Sequence, residues 1–239
     1  VNSFLALNDL AVIIPLAPGD NAWIELLKDL KELPEESEII LVATDEPDTM
    51  QAEVLNNSKV KKNLHWVISE KGRAVQQNNG VAASTKNYFW FLHADSRLQL
   101  LALETVEECL KKRSDAIFYF DLDFMSDGPA VVKLNAYGAR IRSRFLGLPF
   151  GDQGLFMSRE VFTKLGGFPE EAPFGEDHLL VWKAKALSVP LLSTRKKIFT
   201  SARKYKENGW AKTTAMHIYL TAKQALPEKM KQVREKWFT

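Results

Sequence analysis

The sequence has 239 residues, 46% hydrophobic and 26% charged, a profile that fits one ordered domain of generous size and excludes a disordered or fibrous chain. A formal net charge of +2 is too small to require nucleic acid as a partner, and a single cysteine rules out a disulfide framework. No apolar run approaches the ~20 residues of a membrane-spanning helix and no basic-then-apolar leader is seen, so a cytoplasmic protein is expected.

Leu10 to Leu16 is a β-branched apolar run closed by Pro15, Pro18 and Gly19, which predicts a buried parallel strand leading into a loop. Trp23, Leu26, Leu27 and Leu30 then fall on one helical stripe that Asp20 or Asn21 can cap. Ile39 to Ala43 predicts a second strand, a helix to about Leu55 follows, and Leu64 to Ile68 predicts a third strand. A helix opened by Gly72 and Arg73 runs through Ala83, and Tyr88 to Leu92 is an aromatic strand. This rhythm implies right-handed crossovers and a mostly parallel sheet. Further on, the pattern predicts a helix ending at Thr105 to Lys112, with Cys109 in or near the core, and a strand at Asp115 to Asp123. Helices are predicted at Ala130 to Leu148, Arg159 to Leu165 and Asp177 to Leu187, the first with a basic face of Lys133, Arg140, Arg142 and Arg144. From Trp210 an amphipathic helix is expected to be interrupted at Pro227.

Ligands of open α/β sheets collect at the carboxyl ends of strands, which singles out His93, Ala94 and Asp95. A carboxylate there can hold Mn²⁺ or Mg²⁺, and His93, two residues earlier, can ligate the ion, contact phosphate or orient the carboxylate. The plainer reading has Asp95 capping the next helix and His93 in the core. Glu176 and Asp177 follow Pro173, Phe174 and Gly175 at a helix start, where they serve either as caps or as a general base with a charged neighbour. Gly151, Asp152, Gln153 and Gly154 read as a turn or an acceptor-binding loop. The stretch from Arg195 to Lys206 is rich in Lys and Arg, a solvated face or a diphosphate contact through Arg203 and Lys204. His65, His178 and His217 lack zinc-site spacing.

Taken in order, these segments resemble the family 2 glycosyltransferases of the GT-A fold. Ala11 to Pro15 (AVIIP) resembles the opening strand of that family, Gly72 to Ser84 its donor-side helix, and Phe91 to Leu98 (FLHADSRL) its metal-binding strand end. Pro149 to Glu170 and Gly175 to Lys185 (GEDHLLVWKAK) resemble its acceptor loop and catalytic-base helix. The HAD, GDQG and Thr200 to Arg203 (TSAR) segments are most similar to a bacterial subgroup known as radical-SAM or selenodomain-associated transferases, linked to arsenosugar biosynthesis.

The resemblance implies one GT-A domain over residues 1–239: a nucleotide-sugar donor half over 1–98, an acceptor and catalytic half over 99–205 and a C-terminal helical extension over 206–239. It implies inverting transfer of a sugar from a UDP- or GDP-linked donor to a small-molecule or lipid-linked hydroxyl acceptor, assisted by a divalent cation, with no nucleic-acid partner. Asp177 becomes the base with Glu176 beside it. Asp95 becomes the metal ligand, and Pro15, Asp45, Arg73, His93, Ala94, Arg203 and Lys204 fall on the donor side. Gly151, Asp152 and Gln153 fall on the acceptor side. Two positions depart from the pattern: Ala43 stands where an acidic residue usually reads the nucleotide base, and Ala17, Pro18 and Gly19 replace Asn-Glu after the first strand. Two alternatives stay open, an inactive nucleotide-sugar-binding protein and a nucleotidyltransferase, although the latter class carries a Gly-rich phosphate loop that Pro15 to Asp20 does not resemble. Peripheral membrane contact is a further reading of the basic stretch from Lys133 to Arg144 and of the aromatic residues in the C-terminal helices.

Overall fold

The protein is described by a computed structural model that covers residues 5–57, 63–172 and 175–238. Strand β1 (Leu10–Pro15) is buried on both faces, as a central parallel strand of Val and Ile must be. It pairs in parallel with β2 (Glu38–Ala43) on one side and β4 (Tyr88–Phe91) on the other, so that Ile13 lies between Ile40 and Phe91. Beyond β2 comes β3 (Leu64–Ile68), also parallel. Beyond β4 the sheet continues through β7 (Phe156–Ser158), β6 (Ile117–Phe124), β8 (Leu191–Thr200) and β5 (Arg97–Leu98). In this eight-stranded sheet β7 and β5 run against the others. The chain builds outward from β1 to β3 and then returns to place β4 on the far side of β1. The carboxyl ends of β1 and β4 therefore flank a topological switch point, the usual place for a ligand crevice.

Side-chain alternation divides the core in two. Val12, Ile14, Leu41 and Trp90 face the layer of α1 (Leu5–Asn8), α2 (Trp23–Asp29) and α5 (Ala102–Lys112). Ile13, Ile40, Val42, Phe89 and Phe91 face α4 (Arg73–Ala82), α7 (Arg159–Leu165) and α8 (Glu176–Ala186). Helix α4 packs so closely on β1 that a Cβ on Gly80 would lie 2.5 Å from Ile13 Cγ2, so only glycine fits there. The chain also forms α3 (Thr49–Asn57), α6 (Val132–Leu146), α9 (Arg203–Asn208) and α10 (Trp210–Phe238).

Three local expectations change. Helix α10 runs through Pro227 without interruption: the ring gives up one backbone hydrogen bond, and the long helical runs on either side carry the axis past it. Helix α2 starts on Ala22, whose side chain cannot cap, and Asp20 instead accepts from the Ala22 N–H at 2.9 Å. The Lys/Arg-rich stretch from Arg195 is largely strand, the second half of β8. Its alternation is hidden because the pairing with β6 shifts between Tyr119/Ser193 and Asp121/Lys197, with Arg195 at φ 60° inside the irregularity. Cys109 is half-buried, and burial pushes its thiol up, as a packing residue requires.

Candidate functional site

Strand β4 ends at Phe91, the Leu92 N–H still donates to Ile13, and the backbone turns at His93, whose carbonyl accepts from Ser96 at 3.0 Å. This delivers His93 and Asp95 to the switch point while Ala94 packs into the core. The strand ends are fixed from behind by Gln76 on α4. Its buried amide donates to the carbonyls of Leu16 and Val42 at 2.8 and 2.7 Å, tying β1 to β2 where the crevice begins.

Arg73, the first residue of α4, is the hub. Gly72 before it adopts φ 143°, a conformation that favours glycine. From there the guanidinium pairs closely with Glu176, lies 3.8 Å from Asp177 Oδ2, and places Nη1 3.3 Å from His93 Nε2. Three separate stretches of chain thus meet on one side chain. Glu176 and Asp177 lie in the first turn of α8, which begins on Gly175 without a side-chain N-cap, and Asp177 takes up one first-turn N–H while both acids also face Arg73. Pro173 and Phe174, just upstream, lie outside the described residues.

Asp177 is buried, and its Oδ2 accepts from the Gly151 N–H and its Oδ1 from the His178 N–H at 2.8 Å. Burial alone would raise this carboxyl, but Arg73 and the Gly151 N–H hold it below the usual range, so it is ionised at neutral pH. His93 is displaced the other way: burial and then the Arg73 charge lower its imidazole to about 3. It is neutral, and because the guanidinium donates to it, Nε2 carries its lone pair toward Arg73. The metal-ligand role expected of His93 does not fit an Nε2 already facing a cation.

Gly151 to Gln153 form a single 3-10 turn wedged against this cluster. A Cβ on Gly151 would lie 2.9 Å from Asp177 Oδ2 and 3.3 Å from His93 Nε2, so the turn reaches the site only as glycine. Gln153 has a different place from the acceptor-facing one expected. It is wholly buried, donating to the Phe120 carbonyl at 2.8 Å and accepting from the Phe150 N–H and Arg142, so it holds the turn in shape. Asp152 keeps a buried Oδ1 with no hydrogen-bond partner. Burial pushes its carboxyl up to about 6, Asp177 adds to the rise, and Arg142 opposes it.

Arg142 is the residue that the sequence reading missed. It was counted on the basic face of α6, yet it lies 3.3 Å over the Phe150 ring and donates to the Leu148 carbonyl and to Gln153. The available signal was its position next to Ser143, Ala139 and Ala136, the small residues of the inner face.

Asp95 does not cap α5, whose N-terminal flank is Leu101 with no side-chain cap. It accepts from Thr200 Oγ1 at 3.4 Å, and burial raises its carboxyl while Lys204 pulls it down and Asp20 pushes it up. Of the two basic residues expected near a diphosphate, Lys204 acts on both Asp95 and His93. Arg203 is exposed, with Glu207 at 3.8 Å. Among the described residues no three His, Cys, Asp or Glu side chains form a metal cage. A single carboxylate at a strand end still suits Mg²⁺ or Mn²⁺, which take one or two protein carboxylates and complete their shell with phosphate oxygens.

Beside these strand ends is a cleft of about 190 Å³, lined by Leu16 to Asp20, Ala43 to Glu46, Asp48, Gln51 and Trp66. Asp45 is in it, its carbonyl accepting from Trp66 Nε1 at 3.0 Å, whereas Pro15 ends β1 just short of it. Ala43 is surrounded by acids in this cleft, since Asp20, Asp45, Glu46 and Asp48 all line it.

No family model matches the sequence, and no curated protein matches it. Solved structures do match in fold. The mannosyltransferase PcManGT from Pyrobaculum calidifontis, in complex with GDP-Man and Mn²⁺, superposes with a TM-score of 0.66 at 16% identity over 92% of this chain and 64% of that one. S. aureus TarS 1–349 gives 0.63 at 17% identity over 80% and 60%, and its complex with UDP-GlcNAc gives 0.60 at 17% over 80% and 58%. The chain therefore spans less than two thirds of the length of these structures. The architecture is α/β with a mostly parallel central sheet, the GT-A fold of nucleotide-diphospho-sugar transferases.

Proposed function

We propose that the protein is an inverting, metal-assisted glycosyltransferase of family 2 that moves a hexosyl group from a UDP- or GDP-linked donor to a hydroxyl of a small-molecule or lipid-linked acceptor. The observation that carries this reading is the convergence of Asp95, Lys204, Arg73, Asp177 and Asp152 at the switch point of a GT-A sheet, next to a nucleoside-sized cleft. The bound donors named for PcManGT and TarS support the nucleotide-sugar class. The HAD, GDQG and TSAR segments favour the radical-SAM-associated subgroup within it.

In this reading the nucleoside occupies the cleft of Asp45 and Trp66, where carboxylates and carbonyls accept the N–H groups of uracil or guanine. Asp95 would hold a Mn²⁺ or Mg²⁺ ion, which when bound supplies charge neutralisation for the leaving diphosphate. Lys204 adds positive charge on the same side. On the other side Asp177, ionised and fixed by Arg73 and two backbone N–H groups, takes the acceptor proton, and the Asp152 carboxyl near it adds negative charge to that side of the site. Glu176 and His93 hold Arg73 in place. A single base opposite the leaving group suffices for direct displacement, so no covalent nucleophile is needed. A second cleft of about 480 Å³ lies between Ser126 to Pro129 and Tyr205, Lys206 and Trp210. The Tyr205 hydroxyl at this cleft is raised by burial and by the Asp152 charge, which supports reading it as the acceptor side.

A thermal-shift panel of UDP-, GDP- and TDP-sugars with Mn²⁺ tests the assignment. One nucleotide class should raise Tm by several degrees, as ligand linkage requires at about 100 Kd. No shift with any of them would reject it. Asp152 also sets a pH dependence: nucleotide release from the donor should fall as pH drops through about 6, where this carboxyl becomes neutral, and Asp152→Asn should remove that acid limb. A limb unchanged in the variant would assign the titration to another group.

A further inference from the structure

Helix α6 is apolar on the wrong side for a surface helix. Its inner face buries Val132, Ala136, Ala139 and Ser143. Its outer face carries Leu134, Tyr137, Ile141 and Phe145 at spacings of three and four, 62%, 61%, 40% and 81% exposed. Helix α10 adds exposed Met216 and Tyr219, three residues apart on one side, and exposed Ile218 on another. The two helices are held side by side at Asn135, which donates to Thr214 at 2.9 Å and accepts from Trp210 at 2.6 Å. Large apolar side chains in a contiguous exposed array mark a contact surface.

Charge identifies the occupant. Residues 132–146 and 210–223 contain Lys133, Arg140, Arg142, Arg144, Lys212 and Lys223 and no Asp or Glu, in a chain with 30 acidic residues. Arg142 points inward and Arg140 and Arg144 are tied to Asp121 on β6, which leaves Lys133, Lys212 and Lys223 at the exposed rim. A second copy of this surface would set like charges against each other across a two-fold axis. No helix among the described residues is long and apolar enough to cross a membrane. We propose that the outer faces of α6 and α10 dock the protein on an anionic lipid bilayer, with the apolar side chains entering the acyl boundary and the lysines facing headgroups. Docking needs no catalytic residue, and the same helix carries Arg142, which reaches inward to the turn of Gly151 to Gln153.

Flotation of the full chain with phosphatidylcholine vesicles, with and without one quarter phosphatidylglycerol, tests this at low and high salt. Wild-type protein should float with the anionic vesicles at low salt and be partly released at high salt. The double variant Ile141→Glu, Phe145→Glu should lose about tenfold in partitioning with its melting curve unchanged, because both side chains are exposed. Lys133→Glu, which leaves every apolar side chain in place, should weaken binding to the anionic vesicles alone. Wild-type protein that stays in solution with anionic vesicles at low salt would overturn the proposal. So would equal flotation of the double variant, or a dimer in sedimentation equilibrium that the double variant abolishes.

Discussion

Asp177→Asn should lower turnover by about 10²–10⁴-fold while the affinity for a nucleotide-sugar stays within about threefold. The asparagine keeps the size and shape and accepts one of the two N–H groups through its single amide oxygen, but cannot take a proton, so an effect confined to turnover isolates proton transfer from site assembly. Asp177 does not line the Asp45 cleft, which is why donor binding should survive. Single-turnover kinetics beside a binding titration separates the two quantities. Equal losses in both would make Asp177 a structural member of the cluster rather than its base.

Arg73→Met should remove activity and cost stability together. Glu176 and Asp177 are buried, and without the guanidinium they become adjacent unpaired carboxylates. Breaking a buried pair costs about 3–5 kcal/mol, but the Arg73 side chain is 40% exposed and solvent screens part of the charge, so about 1–2 kcal/mol is expected at pH 7. The pH dependence has a definite sign. Asp177 is depressed in the folded protein, so its contribution is present above the unfolded carboxylate value of about 4 and is lost as pH falls through the lower folded value. The gap in Tm between wild type and variant should therefore be wide at pH 7 and narrow toward pH 3. A gap that stays constant across this range would mean that Arg73 stabilises by packing and not by charge.

The layered core was legible because it rests on periodicity. Leu10 to Pro15, Ile39 to Ala43 and Tyr88 to Phe91 are apolar at every position, as buried parallel strands must be, and Leu64 to Ile68 was placed at its observed bounds. What sequence reading missed depends on long-range geometry. The second half of β8 reads only as a Lys/Arg-rich face because its pairing with β6 is irregular, and β7 is only three residues long. The site was legible as a set of segments but not as contacts. Asp95, Asp177 and Gly151 are singled out one by one, yet nothing in their spacing reveals that Arg73 joins α4 to α8, or that Gln153 turns inward to hold the turn in shape. The apparent lack of an acid at Ala43 comes from reading one position, whereas the folded cleft draws carboxylates from the loops after β1 and β2.

The most direct test of the donor site is calorimetric titration of the nucleotide-sugar selected by the thermal panel, with Mn²⁺ and with chelator, into wild type and Asp95→Ala. Wild-type affinity should fall by at least about tenfold when the metal is chelated, and the variant should show the weak affinity under both conditions. Variant binding that is as tight as wild type and still strengthened by Mn²⁺ would contradict the assignment of Asp95 and move the cation elsewhere in the fold.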